Sequence, residues 1–127
     1  MKKYLALLAT IILVSSLSAC AFPTHDILFV GSSSGTKADM IVTVNVTLTA
    51  GSTNEDTDYP HIWTAKGKFE HHQIAQQSTV SGTSIRVTPT VAEQTVSCGI
   101  FIDGKAILAS TNSARFPKDA VCIGPPV

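Results

Sequence analysis

Apolar and polar residues alternate along much of the chain with a period of two, the spacing of a strand that turns one face to a core and the other to water. In the clearest case Met40, Val42, Val44, Val46 and Leu48 alternate with Thr43, Asn45, Thr47 and Thr49, and the β-branched residues there suit a pleated surface. Ahead of it lies the apolar run Ile27-Leu28-Phe29-Val30, after which Gly31-Ser32-Ser33-Ser34-Gly35 reads as a flexible loop or a strand interruption. His61-Ile62-Trp63-Thr64-Ala65 and Lys68-Phe69-Glu70 suggest one or two strands broken near Gly67, and the Gln- and Ser-rich stretch 73–82 reads as a connection with partial pairing. Ile85, Val87, Pro89 and Val91 then recur at every second position. Pro89 has no N–H to give a ladder, so this strand is expected at a sheet edge, or bulged there.

Val96, Cys98, Ile100 and Ile102 alternate again and run into Asp103-Gly104, a strong two-residue hairpin signal. That turn sets Ile102 opposite Lys105, Ile100 opposite Ile107 and Cys98 opposite Ala109. A last strand, from about Ala120 to Ile123, returns after the loop 111–118. Beyond the N-terminal segment the chain shows neither an apolar helical period nor an internal repeat. Several short strands separated by turn signals predict an all-β fold, a small immunoglobulin-like β-sandwich of about seven strands, with Trp63 packed on its core.

The first twenty residues follow a different order. Met1-Lys2-Lys3 is basic, Tyr4 to Val14 is apolar, and Ser15-Ser16-Leu17-Ser18-Ala19-Cys20 is mostly small and polar, which is the build of a secretory signal. The apolar part, about ten residues, is too short to span roughly 30 Å of hydrocarbon. Leu17-Ser18-Ala19-Cys20 resembles the lipobox of bacterial lipoproteins, in which a diacylglycerol is joined to the cysteine thiol and the chain is cut just before it. The resemblance implies a signal peptide over residues 1–19, lipidation of Cys20, a lipidated tether over residues 20–26 and a β-sandwich domain over residues 27–127. Two or three acyl chains anchor a protein stably where one does not. In bacteria with two membranes an Asp after the cysteine retains a lipoprotein at the inner membrane. Ala21 stands there, which implies the outer membrane in such a host, and otherwise the outer side of the cytoplasmic membrane.

Beyond Cys20 there are seven basic side chains (Lys37, Lys66, Lys68, Arg86, Lys105, Arg115, Lys118) against nine acidic ones, a balance near −2. No basic run or patch supports nucleic-acid binding. With Cys20 given to lipid, Cys98 and Cys122 remain, and outside the cytoplasm an even pair reads as a disulfide. A zinc site needs more ligands at suitable spacing, and a redox pair is more often C-x-x-C.

Cys98-x-Ile100-x-Ile102-Asp103-Gly104-Lys105, with Ala120-Val121-Cys122 closing the pattern, resembles the soluble domain of the mycobacterial small membrane protein family (MmpS-type). Ala38-Asp39 at the start of the long strand and Pro60-His61-Ile62-Trp63 are similar in order, so the likeness spans roughly Ile27 to Cys122. It implies an immunoglobulin-like sandwich outside the membrane that assists large lipid or siderophore exporters. Members of that family usually carry a transmembrane helix, where this chain has a lipobox.

Candidate chemistry is sparse. His71 and His72 are adjacent, with His61, Glu70, Asp56 and Asp58 near in sequence, but neighbours on a strand point to opposite faces, so only Glu70 and His72 share one. Solvated polar positions are expected there, with no metal and no cofactor. Glu55-Asp56-Thr57-Asp58 lacks the spaced carboxylates and glycine of an EF-hand and reads as a solvated acidic turn. No G-x-S-x-G element or cysteine nucleophile marks an enzyme, and Ser32-Ser33-Ser34 reads as loop-forming. The expectation is a non-enzymatic lipoprotein, held to a membrane through Cys20, that binds another envelope protein at a surface the sequence does not identify. The alternatives are a phage or mobile-element surface-exclusion factor and a domain that binds a small apolar ligand between its sheets.

Overall fold

A computed structural model describes residues 23–34, 38–50, 60–76, 79–107 and 112–127, including the backbone but not the side chains of Thr49 and Ala50. The signal segment, Cys20, Ala109 and the acidic turn 51–58 lie outside the described residues. Within them the chain is all-β, with no helix: β1 (His25–Ser33), β2 (Asp39–Ala50), β3 (His61–Lys66), β4 (Lys68–Ala75), β5 (Thr79–Pro89), β6 (Thr95–Ile102), β7 (Lys105–Ala106), β8 (Asn112–Arg115) and β9 (Ala120–Gly124). One antiparallel sheet runs β4-β1-β6-β7, with β8 also pairing β6, and the other runs β3-β2-β5-β9. The expected sandwich is therefore built of seven strands of five residues or more, together with the short β7 and β8.

The period of two decides which side chains meet between the sheets. From β2 come Met40, Val42, Val44 and Val46, from β5 Val80, Ile85 and Val87, from β1 Ile27 and Phe29, and from β6 Val96, Ile100 and Ile102, all buried. Burying one such aliphatic or aromatic side chain contributes about 1.5–3 kcal/mol. Leu48 and Trp63 pack on this core from its margin.

Four sequence expectations are corrected. Gly31, Ser32 and Ser33 are not a loop but the end of β1, opposite Phe69 and Lys68 on one side and Cys98, Ser97 and Val96 on the other. Gly31 faces inward where the sheets approach closely, and a Cβ there would lie 3.1 Å from Val87 Cγ2. The glycine answers a packing limit rather than a need for flexibility. β5 is not an edge strand, since it lies between β2 and β9, and Pro89 is its last residue, beyond the final β9 pair Val87–Ala120. The missing N–H is thus past the end of that ladder, and Val91 is half-exposed on the following turn. The sandwich also begins earlier than expected, because His25 and Asp26, assigned to the tether, pair with Ala75 and Ile74 in β1. The polar stretch 73–82 largely extends strands, with Ala75 ending β4 and Thr79 opening β5.

Gly67, at φ 70°, separates β3 from β4 and sends them to opposite sheets. The Asp103-Gly104 turn has the positive φ values, 53° and 77°, that a tight hairpin requires. It sets Ile102 opposite Lys105, and Ile107 N donates to Ile100 O at 3.0 Å, as the two-residue loop predicts. Cys98, on β6, and Cys122, on β9, form a disulfide with Cα atoms 6.0 Å apart. It joins the two sheets, and both cysteines are buried.

The bridge spans 24 residues of sequence. Replacing both cysteines with alanine should lower the unfolding free energy by about 3–4 kcal/mol. Urea denaturation of oxidised wild type and the double variant measures this, and an unchanged midpoint would contradict a stabilising cross-link.

Candidate functional site

The chain enters the sandwich at β1, and this end is tied down by an unusual concentration of acid and imidazole. His25 Nδ1 lies 2.8 Å from Asp103 Oδ2, the N–H of Asp26 donates to Asp103 Oδ1 at 2.9 Å, and the N–H of Asp103 donates to Asp26 O at 2.8 Å. His72, on β4, reaches Asp26 Oδ1 at 3.3 Å. The hairpin turn after β6 thus clasps the first two residues of β1, with backbone and side-chain bonds in the same closure. The His25 bond, and after it the Asp26 N–H, hold the Asp103 carboxyl below its usual range. His25 is largely buried, and its Nε2 has no hydrogen-bond partner among the described residues.

His71 and His72 diverge as adjacent strand residues must. His72 points outward to Asp26, whereas the His71 ring lies 4.9 Å from Trp63 and stacks on Phe29 at 6.4 Å. Trp63 also meets His61 at 5.6 Å and Phe69 at 5.3 Å. These side chains close the seam between β3 and β4, where the two sheets have their outer edges, so Trp63 packs on the core as expected. Glu70, on the same face as His72, bonds Lys68 at 2.7 Å, and that bond lowers its carboxyl pKa. Among the described residues no group of three or more His, Cys, Asp or Glu side chains could hold a metal ion.

The opposite end depends on Gln94, a buried polar residue that no sequence motif marked. Its Oε1 accepts from the N–H groups of Thr90 at 2.7 Å and Val91 at 3.3 Å, and its Nε2 donates to Ser33 Oγ at 2.9 Å and Asp39 O at 3.2 Å. Its own carbonyl accepts from Phe116 N at 2.8 Å. One amide thereby fixes the β5–β6 turn to the end of β1, the start of β2 and the loop after β8. Glu93, at φ 67°, pairs with Arg115 beside it. Val91 on the β5–β6 turn and Phe116 on the loop after β8, 46% and 41% exposed, are large apolar groups displayed on two loops that Gln94 joins by hydrogen bonds.

The acidic groups at both ends are engaged in pairs that fix strand ends and turns: Asp26–His72, Asp103–His25, Glu93–Arg115, with Asp39–Lys66 and Asp119–Arg86 alongside. The arrangement suits a rigid platform with two distinct ends. Comparison of the chain with known protein families, with characterised proteins and with solved structures gives no match.

Two predictions test the ends separately. The Asp103 carboxyl has a folded-state pKa below the usual 3.8, so its contribution is present above that value and fades as pH falls through the lower folded-state value. Asp103→Asn should accordingly be less stable than wild type at neutral pH, and the two urea midpoints should converge in acid; a constant gap would rule out the charge as the cause. Gln94→Leu removes the acceptor of the part-buried Thr90 and Val91 N–H bonds and should cost about 1–2 kcal/mol, measured in the same titration at neutral pH.

Proposed function

We propose that this chain is a lipid-anchored cell-envelope lipoprotein whose β-sandwich, without a catalytic role, binds another envelope protein as a structural or transport-accessory module. The single observation that carries the reading is Leu17-Ser18-Ala19-Cys20 at the end of a basic-then-apolar segment, with β1 opening at His25. Only Ala21 to Thr24 intervene between the cysteine and the first strand. Four extended residues reach about 14 Å, so a lipid on Cys20 would hold the clasped end of the sandwich close to the membrane. The Gln94 end, with Val91 and Phe116 displayed, would then face away from the membrane and be free to meet a partner.

The inter-sheet disulfide supports a compartment outside the reducing cytoplasm. Ala21 in place of an Asp favours the outer membrane in a two-membrane host. The engagement of acids and imidazoles in structural pairs supports a binding rather than a catalytic role, and the resemblance to the MmpS-type soluble domain adds large lipid or siderophore exporters as a partner class.

Labelling cells with radioactive palmitate tests the anchor. Wild type should carry label and sediment with membranes, while Cys20→Ala should do neither; an unlabelled, soluble wild type would overturn the reading.

A further inference from the structure

Among the described residues β3 and β4 are both sheet-edge strands with no strand on their outer side, and β4 is the longer, eight residues against six. Ser33 N donates to Gly67 O at 2.8 Å while Ser32 stands opposite Lys68, which fixes the phase of the β1–β4 ladder. By the alternation of an antiparallel pair, Phe69, His71, Gln73 and Ala75 exchange bonds with β1, and the N–H and C=O groups of Lys68, Glu70, His72 and Ile74 point away from it. Among the described residues no strand pairs with that side. The ladder runs through β4 without a register shift, and the strand contains no proline.

The other edges carry the devices that discourage pairing. β9 has five residues, is followed by Pro125-Pro126, and has its Val121 carbonyl taken by Asn112 Nδ2 at 3.1 Å. β7 has two residues, one of them Lys105, and β8, which also pairs β6 at that edge, has four and ends in Arg115. β3 has six, and its chargeable side chains, His61 and Lys66, are both basic, so a second copy would meet like charge.

We propose that the free edge of β4 pairs with β4 of a second copy of this chain, antiparallel about His71, so that Glu70 of each copy stands opposite His72 of the other. A two-fold axis pairs residue i with j and j with i, and only Lys68, Glu70, His72 and Ile74 offer free backbone groups. Centring on Glu70 or on His72 places identical ionisable groups on the axis and uses three hydrogen-bonded pairs. Centring on His71 uses four, Lys68–Ile74 and Glu70–His72 each twice, with two bonds in each. The side chains then alternate in sign across the axis, Lys68 and Glu70 of one copy meeting His72 and Asp26 of the other. Ile74, 44% exposed in the single chain, comes under the aliphatic stem of the opposing Lys68. On the inward side His71 meets its own copy at the seam, with Phe69 opposite Gln73.

The test uses the full-length chain, purified in mild detergent and sized by light scattering, with circular dichroism as the check on folding. Wild type should be a concentration-dependent dimer. Glu70→Lys and, separately, His72→Glu should each weaken dimerisation roughly tenfold or more, and the Glu70→Lys/His72→Glu double variant should restore it. In membranes, His71→Cys should form a disulfide-linked dimer under mild oxidation, as neighbouring Cβ atoms in a non-hydrogen-bonded pair permit, whereas Thr64→Cys on β3 should not. A folded wild type that stays monomeric, or a dimer indifferent to both single changes, would overturn the proposal. The inference does not rest on the lipid anchor: a palmitate-labelled monomer would remove this proposal and leave the anchor standing.

Discussion

Everything in this molecule depends on two inward faces being apolar at the same height between two sheets. Ile27, Phe29, Met40, Val42, Ile85, Val87 and Ile100 are 0–1% exposed, and they are contributed by four strands whose neighbours along the chain point to water. At about 1.5–3 kcal/mol for each buried side chain, this desolvation is the main favourable quantity set against the ordering of so many extended residues. It also explains why the disulfide sits where it does. β9 is short and at an edge of its sheet, so it contributes little buried surface beyond Ala120 and Cys122. Cross-linking it to β6 in the facing sheet holds the terminal strand against a core that its own side chains could not hold strongly.

The strands whose alternation is regular were legible in the sequence because burial acts on alternate positions. β2, the core of β6 and the Asp103-Gly104 hairpin follow directly from spacing and turn chemistry, whereas the Cys98–Cys122 pairing follows from cysteine count once Cys20 is assigned elsewhere. Misreadings arose where a residue's local preference was overridden by tertiary geometry. Gly31 resembles a loop residue until the fold places it inward, with Val87 Cγ2 only 3.1 Å from where a Cβ would lie. Pro89 argues for an edge only if the neighbouring ladder extends that far, and β9 stops at Ala120, two residues short. The extent of a partner strand is not written in the strand it pairs with.

The polar ends were far less legible. Gln94 is one glutamine among several in the sequence, and its role depends on Thr90, Val91, Ser33 and Asp39 arriving together from three strand ends. The clasp at the entry end is similarly non-local, joining residues 77 or 78 positions apart. Asp103 reads from the sequence as a turn residue, and only the fold shows that its carboxylate has a second task at the start of β1. The histidines illustrate the same point from the other side: strand alternation correctly separated His71 from His72, but not that His71 would face an indole while His72 faced a carboxylate.

The position of β1 links these features to the proposed anchoring. It is the strand that receives the chain, and it lies between β4 and β6, so a pull applied at His25 is resisted along two ladders at once. Had the chain entered through an edge strand, one ladder would carry the same pull and could open from its end. The His25–Asp103 and Asp26–His72 pairs strengthen the first residues of those ladders, one reaching toward β6 and the other toward β4. The same placement leaves β4 as the outer neighbour of the anchored strand, with one ladder satisfied and one open. A second copy on that open edge would turn β4 into an interior strand and extend the ladders around β1 outward. Entry by a central strand and pairing through its neighbour are thus consequences of one strand order, β4-β1-β6.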